Sequence, residues 1–489
     1  MKRGILLIAA FICFACTESY SEIAGTELDD RTVQIIVTYQ TRSEVFPWQG
    51  LPPKTKYGYG VFIDDTRLIT TESLVRNHHV VELTKARSGT KIQAKVVMSD
   101  PQVNLALLTI DEPLNGDRKL GALDICDTVP RGANVNIVQF DETSEIQHIT
   151  GKVLQTKMSV LPDAPYSALS FNILANVDVN GDGVGVLYNG SLAGIMMSYY
   201  GSSRTGSMIP YLTIKMFLDR YATKPYPGFA HAGFRWKSLL DPAKRKYLGI
   251  KDADTGILVL SCLPGTGAFD ALKPQDIIIE WDGHKMDNLG FYNDPDFGRI
   301  TISHLIKNKR KPNDVVKVKV IRDKKTQTVD LKLCYREDSD SLIPENVTGD
   351  KSDYIVEGGL VIREVTGSYL KALGSRWQQR INARLVSLYY DQQQEPDETD
   401  KRVVILMRVL PDPINIGYQA LHNMVITHVN GKEINNLNDV ADIAAKDGSI
   451  YRLTTDMLGV DIVLDKDALP EANRRIADNY RIPDLNSLR

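Results

Sequence analysis

Gly181-Asp182-Gly183-Val184-Gly185 is the stretch from which the rest of this chain can be read. Three glycines in five residues make a tight polar turn, and the runs on either side, residues 168–174 and 184–197, are rich in apolar and β-branched side chains. Moving outward, the same composition recurs at residues 33–39, 59–63, 92–98, 105–110, 135–140 and 149–154, punctuated by Gly, Asp, Asn and Pro. Short strands at such regular spacing predict a sandwich or a pair of barrels. Ile209-Pro210 then opens a helical pattern over residues 211–221, where Leu212, Met216 and Leu218 alternate with Lys215 and Asp219.

Lys224-Pro-Tyr-Pro-Gly228 reads as a linker. Residues 229–335 mix strands with a helix near 301–309, and the charged stretch 337–351 is a second linker. Residues 352–466 form another α/β unit, with a helix near 437–446 and a polar, acidic loop at 392–401. The tail from Asp467 reads as a helix plus an extended end. The two α/β units share an Asp/Asn-Gly turn, Trp281-Asp282-Gly283 and Val429-Asn430-Gly431.

Length and charge narrow the class. A chain of 489 residues holds about three ordinary domains. With 58 basic and 61 acidic side chains, the net charge of −3 favours neither nucleic acid nor an anionic membrane as partner. Lys2 and Arg3 followed by an apolar run over residues 5–15 read as a secretion signal, too short to span a bilayer. A cut before Cys16 suits plain secretion and equally a lipoprotein signal, in which Cys16 carries the lipid anchor. The expected location is therefore across the inner membrane, in the periplasm or lipid-anchored to the cell envelope. Cys126, Cys262 and Cys334 form no metal motif; Cys262 and Cys334 either bridge or are two small buried side chains.

Several strings resemble the HtrA/Deg family of serine proteases. Gly58-Tyr-Gly-Val-Phe-Ile-Asp-Asp65, Arg67-Leu-Ile-Thr-Thr-Glu-Ser-Leu-Val75 and Ser99-Asp-Pro-Gln-Val-Asn-Leu-Ala-Leu-Leu108 are similar to the segments that carry the family's histidine and aspartate. Residues 177–187 fall on its Gly-Asn-Ser-Gly-Gly loop, and Gly206-Ser-Met-Ile-Pro210 precedes the closing helix. The α/β units resemble PDZ domains. Tyr354-Ile-Val-Glu-Gly-Gly-Leu-Val361, Val409-Leu-Pro-Asp-Pro-Ile-Asn-Ile-Gly-Tyr418 and Tyr480-Arg-Ile-Pro483 look like the divergent second PDZ of the plant-type Deg branch. The implied fold is mainly β with α/β modules, a trypsin-like double β-barrel followed by two PDZ-like domains. The implied boundaries are a signal peptide at 1–15, a protease-like domain at 30–222, PDZ domains at 228–336 and 352–466, and a tail at 467–489.

On this resemblance Ser73, Asn104 and Gly183 occupy the places of histidine, aspartate and serine. A serine protease needs a hydroxyl nucleophile, an imidazole base and an orienting carboxylate. Losing nucleophile or base alone costs about a millionfold in subtilisin. The expectation is a pseudoprotease, not an enzyme, with only an oxyanion pocket of backbone N–H groups left. A relocated site would draw on Glu72, His78, His79, Ser170 and Ser191, making an active envelope serine endopeptidase of non-standard site. Asp178-Val-Asn180-Gly-Asp182-Gly matches the opening of a calcium loop, although position 12 is Asn189, not glutamate. A calcium-dependent interaction protein is thus a third reading; the leading one expects no metal and no cofactor.

The PDZ resemblance implies capture of protein or peptide C-termini by strand addition. Its carboxylate loop and edge strand fall on Ala232, Gly233, Phe234, Arg235 and Trp236, with Tyr247-Leu-Gly-Ile250 a competing match. In the second unit the equivalents are Gly359, Leu360 and Val361. Both units also read as packing modules for oligomerisation. The nine basic side chains over residues 307–325 read as a solvated edge. Phe46, Trp48 and Tyr57 fall where the family trimerises, so they are read as trimer contacts or as core. The expected molecule is a scaffold or chaperone-like peptide binder, a homotrimer or a multiple of one.

Overall fold

The computed structural model describes residues 28–116, 119–161, 164, 166–250, 255–345, 353–392, 401–446, 448–457 and 460–488. The signal segment 1–15, the lipidation candidate Cys16 and residues 393–400 of the acidic loop lie outside the described residues.

Two closed barrels come first. β1 (Thr32–Tyr39), β2 (Lys54–Phe62), β3 (Arg67–Thr70), the one-turn helix α1 (Glu72–Val75), β4 (His78–Lys85), β5 (Lys91–Asp100) and β6 (Leu105–Thr109) build the first. Its strands close in the order β1-β2-β3-β6-β5-β4. β1 shows the cause: Val33, Ile35 and Val37 alternate onto the inner face and are wholly buried, against Phe62, Leu68, Leu83 and Leu108. β7 (Asn134–Phe140), β8 (Ile146–Val160), β9 (Ser167–Ala175), β10 (Gly185–Tyr188), β11 (Ser191–Tyr200) and β12 (Thr205–Pro210) close the second as β10-β11-β12-β9-β8-β7. Closure removes the unpaired edges that isolated sheets would expose. Helix α2 (Tyr211–Ala222) follows, seating Ile214 and Phe217 in the core.

The third unit comprises β13 (Phe234–Ser238), α3 (Pro242–Tyr247), β14 (Ile257–Cys262), α4 (Gly267–Ala271), β15 (Ile277–Trp281), β16 (His284–Lys285), β17 (Phe291–Asp294), β18 (Gly298–Thr301), α5 (Ile302–Lys309), β19 (Val315–Arg322) and β20 (Lys325–Lys332). Its sheet runs β13-β14-β15-β19-β20, so β13 is an edge strand. The core gathers around Ile257, Trp281 and Val318. Phe297, in the turn between β17 and β18, lies 6.2 Å from the ring of Phe171 and joins this unit to the second barrel. Cys262 and Cys334 do not bridge.

The fourth unit holds β21 (Tyr354–Glu357), β22 (Leu360–Glu364), α6 (Gly367–Ala372), α7 (Ala383–Gln392), β23 (Val404–Val409), β24 (Met424–Val429), β25 (Lys432–Glu433), α8 (Leu437–Ala444), β26 (Ile450–Thr455), β27 (Asp461–Asp465) and α9 (Leu469–Tyr480). Its sheet order is β21-β22-β23-β24-β26-β27. α9 buries Ala472 and Ile476 against this sheet, and the Val356 N–H donates to the Leu485 carbonyl at 2.7 Å, so the tail is part of the unit's core.

The β1–β2 loop fits the core reading of Trp48. Trp48 is 5% exposed within the fourth unit's core, its ring 5.9 Å from that of Tyr354. The Arg408 guanidinium stands 4.7 Å over the Phe46 ring, and buried Arg363 donates to the Glu44 carbonyl at 3.0 Å and pairs with its carboxylate at 2.9 Å. Phe46 and Trp48 therefore join the first barrel to the fourth unit within one chain, while Tyr57 is exposed. Trp48→Ala removes a buried aromatic and is expected to cost about 3–5 kcal/mol. Thermal unfolding should show a lower transition, and trypsin should cut the fourth unit faster; an unchanged transition would contradict this packing.

Candidate functional site

Of the residues that the resemblance sets at the triad, Ser73 lies in α1 and Asn104 beside its start. The Ser73 N–H donates to Asn104 Oδ1 at 2.8 Å, and the Glu72 N–H to the Asn104 carbonyl at 3.2 Å. Asn104 is buried with φ +55°, a left-handed conformation that Asn adopts more readily than most residues. Lys56 Nζ donates to the Ser73 carbonyl at 3.0 Å, and Thr71 Oγ1 to Asp182 Oδ1 at 3.0 Å. Burial pushes the Asp182 carboxyl above its ordinary range, opposed by the Thr71 hydrogen bond and the Lys56 charge. The structure thus brings Ser73 and Asn104 together, with Lys56, Thr71 and Asp182 beside them.

Gly183 is fixed by its backbone. It has φ +77°, and its N–H donates to the Met196 carbonyl at 2.9 Å rather than standing open as an oxyanion donor. A Cβ built there would lie 1.9 Å from the Tyr59 carbonyl oxygen and 2.6 Å from Thr70 Oγ1. Only glycine fits this turn.

The relocated constellation does not assemble. Glu72 pairs with Arg76 at 2.5 Å, the His78 ring faces the Val75 carbonyl at 2.8 Å, and His79 is exposed. Ser170 is wholly buried against Ser159 Oγ at 2.6 Å, and Ser191 opens β11 opposite Tyr188. His–Asp pairs occur elsewhere among the described residues. His148 Nε2 lies 3.3 Å from Asp29, its other nitrogen 3.0 Å from Asn136 Nδ2. His304 is wholly buried with Tyr292 and Asp294. The calcium loop is also corrected. Asp178 accepts from the Tyr199 hydroxyl, Asn180 Oδ1 from the Asp182 N–H, and Asp182 from Thr71, so the three are committed to different partners. Among the described residues no three His, Cys, Asp or Glu side chains group to hold an ion.

A groove opens instead in the third unit. A cavity of about 160 Å³ runs between Ala232, Phe234 and Trp236 on the β13 side and Ser303, Ile306 and Lys307 of α5. Tyr166 of the second barrel and Arg336 of the following connection close its ends. Ala232 and Phe234 form its apolar floor, and Gly233 (φ +77°) turns the chain into β13 with its N–H on His231 Nδ1 at 3.0 Å. Arg235 continues the edge strand. Tyr247, from the competing match, stands exposed at the end of α3. Burial drives the His231 imidazolium down to about 3, aided by Arg336 and Lys307, so His231 is neutral here. Lys307 is buried, not part of a solvated edge. Its Nζ donates to the Ser167 carbonyl at 2.8 Å, and burial lowers its pKa to about 8, opposed by the Asp100 charge. Sequence reasoning missed Lys307, His231 and Arg336, because nothing local marks a helix lysine as buried.

The second proposed loop is not a groove. β22 is hydrogen-bonded to β21 on one edge and β23 on the other, so Gly359, Leu360 and Val361 offer no strand edge to a peptide. Leu360 and Val361 are wholly buried, and Asn415 Nδ2 holds the Gly358 and Leu410 carbonyls at 2.8 Å each.

Comparison with known proteins places this geometry. A family profile described as PDZ domain matches residues 343–489. The chain is 24% identical over 480 residues to the putative protease Do-like 3, mitochondrial, of Arabidopsis thaliana, covering 94% of this chain and 80% of that one. It is 25% identical over 472 residues to protease Do-like 2, chloroplastic, of the same plant, covering 93% and 74%. Among solved structures, the HtrA-type protease AlgW, in a serine-to-alanine variant with a decapeptide, shares the fold with TM-score 0.51 and 18% identity, covering 64% of this chain and 96% of that one. These relatives bear the names of proteases, and that overturns the expectation, drawn from three substituted positions, that the chain is not an enzyme.

The turn at 183 makes a direct prediction. Gly183→Ser forces a Cβ onto the Tyr59 carbonyl in a left-handed conformation, and strain of this kind costs about 1–3 kcal/mol before any repacking. The variant should melt lower and gain no fluorophosphonate labelling over the parent; a stable variant that labels newly would contradict the geometry.

Proposed function

We propose that this chain, similar along most of its length to Do-like proteases and matched by a PDZ-domain profile, captures polypeptides by their free C-termini in the groove between β13 and α5. The observation that supports this is the combination of an edge strand, an apolar floor at Ala232 and Phe234, and the cationic Lys307 and Arg336 lining the same cavity. An extended segment laid on β13 adds a strand, its terminal side chain enters the apolar floor, and its carboxylate meets the positive charges. The double barrel adjoins this groove through Tyr166 and Ser167, so a captured segment lies against the fold on which the protease relatives are built. Cleavage of that segment requires a nucleophile other than residue 183. We further propose secretion to the cell envelope, on the charged start and apolar run of residues 1–15, and assembly into trimers, as the family resemblance implies.

Fluorescence anisotropy with paired peptides tests the capture. A peptide with a free C-terminal valine should bind at least about tenfold more tightly than its C-terminal amide, because a charge-assisted contact is lost. Protonated Lys307 favours the carboxylate, so affinity should fall as pH rises through about 8, and Lys307→Met should abolish that pH dependence. Equal binding of acid and amide would overturn the reading.

A further inference from the structure

Behind the groove lies a second, larger cavity of about 380 Å³, bounded by the end of β5 at Met98 to Gln102, by Tyr226 and by the connection after Tyr335. Its size falls within the range that holds a ligand side chain or small molecule. Three tyrosines wall it: Tyr166, Tyr226 and Tyr335. Tyr335 is held in place by a close approach to Gly228, where φ is +65° and a Cβ would lie 2.0 Å from the ring. Aromatic faces attract cations, and the Tyr166 ring already has the Lys307 ammonium 5.2 Å from its centre, on the groove side.

The charge around these rings is negative. Asp100, 2% exposed, accepts from the Tyr226 hydroxyl at 2.5 Å and from the Gln102 N–H at 2.8 Å. Glu337 and Asp338 line the same cavity. Glu72 also lines it with Arg76, and these two pair with each other at 2.5 Å. Burial pushes the Asp100 carboxyl above its ordinary range, opposed by the Tyr226 and Gln102 hydrogen bonds and by the Lys307 and Arg220 charges. Burial, then Asp338 and Asp100, raises the Tyr166 phenol, and burial, then Asp100 and Glu337, raises that of Tyr335.

We infer that this tyrosine-walled, carboxylate-lined cavity receives the cationic side chain of a captured polypeptide. Tyr166, Glu337 and Asp338 line both cavities, so they are contiguous, and a chain on β13 can direct one side chain inward. Lys307 and Arg336 line only the groove, Asp100 lines only the inner cavity, and Glu337 and Asp338 stand between them, which sets a register: a free C-terminus with lysine or arginine at a fixed distance upstream. The inference rests on the groove reading for its register, but not for cation binding by the cavity itself.

Two measurements on the full chain separate these claims. The first uses decapeptides with a free C-terminal valine, identical except for lysine or norleucine at one scanned position. At one position lysine should bind about fivefold more tightly than norleucine, the worth of a cation–π contact at a partly exposed ring. Tyr335→Leu, at an exposed ring, should reduce that ratio to near one and leave the norleucine peptide's affinity unchanged, and Asp100→Asn should reduce the ratio likewise. The second titrates N-acetyl-lysine N-methylamide alone against tyrosine fluorescence, expecting saturable quenching that is absent with the norleucine analogue and lost in Tyr335→Leu. If neither peptide binds but the lysine amide does, the groove reading fails and the cavity account stands. Equal lysine and norleucine affinities at every position, or no saturable response to the lysine amide, would overturn the inference.

Discussion

The buried ammonium of Lys307 is the contact on which the functional architecture depends. It leaves helix α5, donates to the Ser167 carbonyl at the start of β9, and faces the buried Asp100 of the first barrel. A lone charge in such a place would be costly, and it is tolerated because a carbonyl and a nearby carboxylate share it. That one residue brings the third unit, the second barrel and the end of β5 together. The groove lies on one side of it and the tyrosine-walled cavity on the other.

The loop between β1 and β2 plays the matching part at the other end of the chain. Trp48, Phe46 and the Arg363–Glu44 pair fasten the first barrel to the fourth unit. That unit's own potential groove is closed by β21, so its described role is structural: its surface receives a loop of the same chain. The third unit keeps an edge strand open. The two units thus differ in their edges: β21 pairs with β22, whereas among the described residues no named strand pairs with the outer edge of β13.

Much of this was legible in the sequence. Alternating Val33, Ile35 and Val37, and the glycine-rich turn at 181–185, are local signals and gave both barrels. The resemblance sets Gly183 in the nucleophile's place, and the structure shows that its turn has no room for anything larger. What stayed hidden was long-range. Trp48 meets Tyr354 about three hundred residues away, and no periodicity announces such a partner. Lys307 sat within a run of nine basic residues and read as solvated, although it is almost wholly buried. The Gly358-Gly359 turn did carry a readable signal, since Gly-Gly between apolar runs favours a two-residue hairpin, and that hairpin is what removes the second groove. Three substituted triad positions were read as the end of enzymatic function, whereas the chain aligns along most of its length with relatives named as proteases.

Hydrogen–deuterium exchange on the full chain, with and without a saturating peptide bearing a free C-terminus, tests the central claim most directly. The account requires new protection along β13 and α5, spanning residues 231–238 and 302–309, with none at residues 359–364. Protection confined to the fourth unit, or no change along β13, would contradict it.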